Sequence, residues 1–248
     1  MNSKTWVIIP ARYGSTRLQA KPLLELAGNP LFAHVFDRAV EAGVDPARVV
    51  LATDDVRISQ RAGDFGIHAV MTSREHGSGS DRVLEATSII GVGNDDIVVN
   101  LQADEPFVPA ELVSSLIRHA KSCNFGISTV VVPLACRDDF LDPNVVKVVL
   151  GDAGRALYFS RAGIPYARDR ESAFGLAYRH IGVYCYEMSS LKRFCSLSPP
   201  ALEQSEKLEQ LRALHYGLPI GCVVFDGAVP HGVDTLADYQ RLIEKYGP

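Results

Sequence analysis

No apolar run in the 248-residue chain approaches the roughly 20 residues that a membrane-spanning helix needs. The opening stretch, MNSKTWVIIP, has an apolar core of only about four residues, too short for the h-region of a signal peptide. Both features lead to the expectation of a cytoplasmic protein with no membrane partner. Cysteine is sparse: Cys123, Cys136, Cys185, Cys195 and Cys222 are odd in number and include no C-x-x-C pair, which predicts reduced thiols and no disulfide framework. Positive charge is not in excess, since 25 Lys and Arg stand against 29 Asp and Glu, so a general nucleic-acid partner is not expected. Neither G-x-x-x-x-G-K-[ST] nor G-x-G-x-x-G is present at the N-terminal glycine, so the common phosphate-binding fingerprints are missing there. There is no internal repeat, low-complexity segment or flexible linker. The length therefore suits a single domain over 1–248, with room for an elaboration inside it.

What is present begins with three short β-branched runs. WVIIP (6–10), RVVLATDD (48–55) and DIVVNLQADEP (96–106) show no polar alternation, and each empties into polar residues. Such runs suit strands buried on both faces of a parallel sheet. Helical patterns lie between and after them. In NPLFAHVFDRAVEAG, Asn29 suits a cap, Pro30 the first turn, Gly43 the stop, and His34 falls on the outward face. Further helices are predicted over 56–64, 80–90 and 109–121. The alternation predicts a doubly wound, mostly parallel α/β sheet, whose ligands sit at the carboxyl ends of the strands.

The middle is different. GISTVVVPL, VVKVVL, RALYFSR and YRHIGVYCYEM are closely spaced strand-like runs, and a tight turn between 145–150 and 155–160 predicts antiparallel pairing. Residues 126–190 thus read as a β-rich insertion. A helix is predicted over about 200–216, then a strand over 221–226 and a closing amphipathic helix.

Arg12, Arg17 and Lys21 arrive within ten residues at the end of the first strand, around Gly14, Ser15 and Thr16. Guanidinium forks, an ammonium and loop N–H groups are the donors a triphosphate needs, although a solvated basic loop is the plainer alternative. Asp104 and Asp234 each follow a strand; two carboxylates at one sheet edge suit a hard divalent cation, while each taken alone reads equally as a helix cap.

The stretch PARYGSTRLQAKPL resembles the signature of the sugar-acid cytidylyltransferases, and within them the group acting on 3-deoxy-manno-octulosonate (Kdo). The likeness continues in order through ATDD, SGSDR, NLQADEP, NVVKVVL, ALYFSRAGIP, YRHIGVYCY, LEQLRALHYG and GVDT. It implies Mg²⁺-dependent transfer of a cytidylyl group from CTP to Kdo, releasing pyrophosphate and feeding lipopolysaccharide synthesis. It also implies a nucleotide-binding sheet with the β-rich insertion walling the sugar site, and a homodimer. By the same resemblance Arg12, Lys21, Asp104 and Asp234 are catalytic, the two aspartates as Mg²⁺ ligands. Arg12, Ser15, Arg17, Lys21, Thr53, Ser80 and Arg82 face the nucleotide, Arg82 near the base. Gln102, Arg161, His180, Tyr184, Glu209 and Gln210 face the sugar, with Arg161 as the carboxylate clamp.

Plainer roles stand beside these. Ser80 suits a helix cap, Thr53 and Asp54 a strand-to-helix turn, His180 a structural hydrogen bond, Tyr184 a half-buried sheet aromatic, and Glu209 a surface partner of Arg212. The sequence departs from the family pattern at Gln19-Ala20, where Pro-Gly is usual, and at Ala103, where glycine is usual. The alternatives left open are an 8-amino-Kdo or sialic acid cytidylyltransferase and, outside enzymes, an idle nucleotide-binding regulator.

Overall fold

The computed structural model describes residues 3–14, 18–134, 136–168, 174–233 and 235–247. The chain divides into two compact units, Met1–Ser114 with Val229–Pro248, and Ser115–Ala228.

In the first unit, β1 (Thr5–Ala11) leads to a two-residue hairpin, β2 (Glu25–Leu26) and β3 (Asn29–Pro30). Then come α1 (Leu31–Glu41), β4 (Val49–Thr53), α2 (Val56–Asp64), β5 (His68–Met71), α3 (Gly79–Ile89) and β6 (Ile97–Asn100). Its large strands pair in parallel in the order β6-β1-β4-β5. Every residue of β4 and β6 is buried, which explains why these strands read as unbroken apolar runs. The chain builds outward from β1 through β4 to β5, then returns to the other side of β1 as β6. That reversal makes the β1/β6 boundary the topological switch point of this sheet, where α/β proteins bind ligands at the strands' carboxyl ends. The loops leaving there carry Arg12 and Asp104.

Three local readings are corrected. Asn29 does not cap α1: Ala27 and Gly28 both take positive φ, the geometry of a tight hairpin turn, and draw Asn29 into β3 opposite Leu26. Pro30 takes the cap position without a side-chain bond. His34 is not a plain surface residue, since its Nε2–H donates to the Leu26 carbonyl at 2.8 Å. The edge strand β5 had no prediction; four residues leave too little pattern to read.

The helix α4 (Ala110–Ser122) has residues in both units. The second unit continues with β7 (Ile127–Pro133), α5 (Arg137–Leu141), β8 (Lys147–Leu150), β9 (Ala156–Ser160), β10 (Tyr178–Glu187), α6 (Met188–Cys195), α7 (Ala201–Glu206), α8 (Gln210–His215) and β11 (Ile220–Val224). The β8–β9, β8–β10 and β10–β7 pairs are antiparallel, as the tight spacing predicted for the first of them, and β11 joins β7 in parallel. The single helix expected over about 200–216 is two short helices. Lys207 sits between them at φ 53°, a left-handed conformation that no α-helix continues through.

The closing helix α9 (Leu236–Tyr246) belongs to the first unit. Its cap is Thr235, in a reciprocal box with Asp238, so the capping role considered for Asp234 belongs to its neighbour. Val233, Leu26 and Leu31 form a small buried cluster against which Tyr239, Leu242 and Ile243 pack, fixing the turn before α9 in this unit. Among the described residues no helix is long and apolar enough to cross a membrane.

Candidate active site

Among the described residues of the loop after β1, Tyr13 is a clear anchor. Its N–H donates to Asp54 Oδ1 at 3.2 Å, and its carbonyl accepts from Ala20 N–H at 3.0 Å. The Arg57 guanidinium lies over its ring, 3.5 Å from the centroid. Asp55 in turn grips Arg57 with both carboxylate oxygens, at 2.8 and 2.6 Å, and caps α2 by accepting from the Arg57 N–H. Arg57 holds the Asp55 carboxyl down to about 2. Asp54 is braced from behind by Arg82, whose Nη2 donates to it at 3.0 Å and whose Nη1 donates to Thr72 Oγ1 at 2.5 Å. Tyr13 and Arg57 were missed as site residues, because their importance lies in contacts that no local motif announces.

Arg82 is thus 3% exposed and committed to Asp54 and Thr72. Thr53 is fully buried; its carbonyl accepts from the Thr72 N–H and hydroxyl, and its hydroxyl accepts from Asp55 N–H. Both act in the frame under the loop. Ser80 is buried too, but Ser78, not Ser80, caps α3 by accepting from Asp81 N–H at 3.2 Å. Arg12 is exposed on the loop, while Ser15 and Arg17 lie outside the described residues.

Ala20 stands at φ 54°, ψ 23°, immediately before the turn Lys21–Leu23. The usual family glycine suits that left-handed position, and alanine there is strained. Ala20→Gly is therefore expected to raise stability by about 1 kcal/mol, read as a shift in the urea midpoint; an unmoved midpoint would count against strain at this residue. Ala103, the other departure, is not among the residues with positive φ, so that position does not need glycine for its backbone.

Lys21 and Asp104 meet across the switch point. Lys21 Nζ donates to Asp104 Oδ2 at 2.5 Å, with the two side chains 12% and 30% exposed. The turn after β6 that carries Asp104 is met by the GVDT segment: Val233 N–H donates to the Asp104 carbonyl at 2.8 Å. Gly232 is required by close approach, since a Cβ there would stand 2.8 Å from Glu105 Oε1 and 2.9 Å from the Asp104 carbonyl. Asp234 lies outside the described residues. Gln102 Nε2 donates to Asn100 Oδ1 at 3.1 Å on the same loop.

In the second unit a pocket of about 210 Å³ is lined by His180, Tyr184, Glu209 and Gln210, together with Val146, Tyr186 and Phe194. The first two of these share one face of β10, their rings 5.4 Å apart, despite a bulge between Ile181 and Tyr184. Thr129 Oγ1 lies 2.8 Å from the Val183 carbonyl, 3.2 Å from that of Ile181 and 3.0 Å from His180 Nε2. Its single proton goes to a carbonyl, so it accepts from His180, which fixes the hydrogen on Nε2. Burial pushes the His180 pKa down to about 3, so the ring is neutral and Nδ1 is a bare acceptor.

The sign of this shift sets a pH dependence. The folded pKa of His180 lies below the unfolded value of 6.5, so the unfolded chain takes up the proton first. Stability should be complete above pH 6.5 and fall as pH drops toward 3. His119, also lowered by burial, adds to the loss with the same sign. Urea unfolding at several pH values between 7 and 5 should show a decline that is shallower in His180→Asn; an identical slope in the variant would show that the ring titrates freely.

Glu209 and Gln210 open α8, with Gln210 buried. Glu209 does pair with Arg212, at 3.8 Å, but not on the surface: Arg212 is buried, and its fork grips Glu203 at 2.8 and 2.7 Å. Arg161 is not among the residues lining this pocket. It is held at the end of β9, its Nε donating to the Glu206 carbonyl at 2.7 Å and its Nη1 to the Pro143 carbonyl at 2.9 Å.

These arrangements can be set beside known proteins. The sequence profile of the family described as Cytidylyltransferase matches residues 6–231. A 3-deoxy-manno-octulosonate cytidylyltransferase of Hahella chejuensis is 46% identical over 95% of each chain. One of Thioalkalivibrio sulfidiphilus is 47% identical over 95% of this chain and 96% of its own. A solved structure of CMP:2-keto-3-deoxy-manno-octonic acid synthetase, complexed with CTP, covers 98% of both chains at 38% identity with a TM-score of 0.90. A cytidylyltransferase from Leptospira borgpetersenii shares the fold at 16% identity and a TM-score of 0.62. The chain belongs to the cytidylyltransferase family, among its 3-deoxy-manno-octulosonate cytidylyltransferases.

Proposed function

We propose that this chain transfers the cytidylyl group of CTP to Kdo, giving CMP-Kdo and pyrophosphate for lipopolysaccharide synthesis. The observation that carries the reading is the likeness, over nearly the whole chain, to a synthetase complexed with CTP. The Lys21–Asp104 pair at the switch point supports it, because it sets a cation and a hard anionic ligand where a nucleotide would lie.

The reaction is an in-line displacement at the α-phosphorus. The anomeric hydroxyl of Kdo forms the new P–O bond, and the bond to the β-phosphate oxygen breaks. Little covalent chemistry is asked of the protein; its work is positioning two anions and stabilising the charge that develops. Arg12, Ser15, Arg17 and Lys21 take the leaving phosphates, Lys21 exchanging its Asp104 partner for a phosphate oxygen. The Tyr13 anchor, with Arg82 and Asp54 behind it, holds the loop still for that exchange. Thr53 and Ser80 complete the nucleotide frame.

Asp104 and Asp234 would hold Mg²⁺. Two observations support this: Asp104 presents a partly exposed carboxylate at the strand end, and Val233, next to Asp234 in sequence, donates its N–H to the Asp104 carbonyl. When bound, Mg²⁺ would supply Lewis-acid polarisation of the α-phosphate and would lower the pKa of a bound hydroxyl.

On the sugar side, Arg161 takes the Kdo carboxylate, while Gln102, Tyr184, Glu209 and Gln210 take hydroxyls. His180, neutral with Nδ1 bare, accepts from a sugar hydroxyl and is no general acid. A single-domain organisation over 1–248, a homodimer and a cytoplasmic location belong to the same reading.

Pyrophosphate release should be measured with CTP and Mg²⁺ against Kdo, 8-amino-Kdo and sialic acid. Turnover is expected with Kdo. A preference for another acid would move the substrate assignment, and CTP binding without release for any acid would favour an idle regulator.

A further inference from the structure

Lys147 is fully buried in β8, and no step above calls on it. Its Nζ donates to three main-chain carbonyls, those of Asp142 at 2.7 Å, Val145 at 2.6 Å and Arg161 at 2.6 Å. An ammonium has three protons, so all of them are engaged. Three carbonyl dipoles replace the hydration shell, which is what permits a charge here without a carboxylate partner.

The partners are not arbitrary. Arg161 is gripped at its own N–H by Glu206 Oε2 at 2.7 Å, at its carbonyl by Lys147, and through its side chain by the carbonyls of Glu206 and Pro143. Among the described residues no partner engages Arg161 Nη2. Lys147 and Arg161 thus hold the 142–145 turn together, one from inside and one from its exposed side. Val146, the residue before Lys147, lines the pocket and accepts the His180 N–H at 2.9 Å. Two consecutive residues, Val146 and Lys147 at the entry to β8, therefore carry the pocket wall and the ammonium that fastens Arg161.

We infer that Lys147 is a positioning residue for the sugar substrate: it ties Arg161 to the wall bearing His180, so that the free guanidinium edge meets the carboxylate of a sugar acid at a set place. This rests on the reading of Arg161 as the carboxylate clamp. Lys147 touches no substrate and acts only through Arg161, so its loss should act on one substrate and not the other.

Steady-state kinetics of Lys147→Met, Arg161→Ala and the double variant test it, with KM taken separately for Kdo and for CTP. Lys147→Met should raise the KM for Kdo about ten-fold or more, since small misplacements of a binding group are costly. Its KM for CTP should stay near the wild-type value. The double variant should be no worse than Arg161→Ala alone, because the two residues act in series.

If Arg161→Ala leaves the KM for Kdo unchanged, the clamp reading fails and takes this inference with it. If Arg161→Ala raises it while folded Lys147→Met does not, or if Lys147→Met raises both KM values alike, the positioning role alone is overturned. Should Lys147→Met fail to fold, ¹⁵N-lysine-labelled wild-type protein decides. A slowly exchanging Lys147 ammonium resonance should shift with Kdo and not with CTP, and a resonance indifferent to saturating Kdo overturns the proposal.

Discussion

Asp104→Asn is expected to abolish turnover at millimolar Mg²⁺ while leaving the fold intact. The substitution keeps the shape of the side chain and removes its charge. The carboxylate is 30% exposed on a turn, so the lost ion pair costs stability little, under about 1 kcal/mol. The effect on rate is of another order. On the proposed Mg²⁺ site, a hard cation held by two carboxylates would lose half of its anionic ligands, and losing one such charge-stabilising group costs a factor of roughly 10² to 10³ or more. Asp234→Asn should behave alike. Kinetics separates this from simple loss of the ion pair with Lys21: an ammonium released from Asp104 would bind phosphate more readily and lower the KM for CTP without collapsing kcat. Near-normal kcat in both asparagine variants would remove the metal site from the mechanism.

Lys21→Ala is expected to lower kcat and kcat/KM for CTP together, by a factor on the order of 10² to 10³, because the ammonium meets charge that grows as pyrophosphate departs. The remaining Asp104 carboxylate is solvated enough to stay folded without its partner, so the urea midpoint should hardly move. Lys21→Arg should recover only part of the rate, since a planar fork cannot take both the Asp104 and the phosphate positions of a compact point charge. A rise in KM with kcat unchanged would reassign Lys21 from the leaving group to ground-state binding.

Much of the first unit was readable because its strands are buried on both faces. Val7-Ile8-Ile9, Val49-Val50-Leu51 and Ile97-Val98-Val99 have no solvent side to demand polar residues, so apolar runs mark them directly. Capping was read less well. Ser78 for Ser80, Thr235 for Asp234 and Pro30 for Asn29 are shifts of one or two positions. At each end several short polar side chains compete for the same donors, and only the path of the entering chain selects one. The division of 200–216 was hidden for a similar reason, since Lys207 gives no local signal that it turns left-handed.

From composition and order of motifs alone came the chemistry: a cationic loop, two carboxylates, a run of polar sugar-facing residues, and the family that joins them. Folding set which of those charges are buried in pairs and which stay partly exposed. Arg82 and Lys21 look alike in the sequence, as cations that follow a glycine- and serine-containing loop. Arg82 reaches Asp54, 28 residues away, in a buried site and becomes part of the frame. Lys21 pairs with Asp104, 83 residues away, on a half-open edge from which it can be drawn off. The difference lies in desolvation: a buried pair cannot recover water when it separates, so it stays closed, and an edge pair can. Neighbours along the chain carry no trace of that distinction, because burial is set by residues that meet only when the strands are laid side by side.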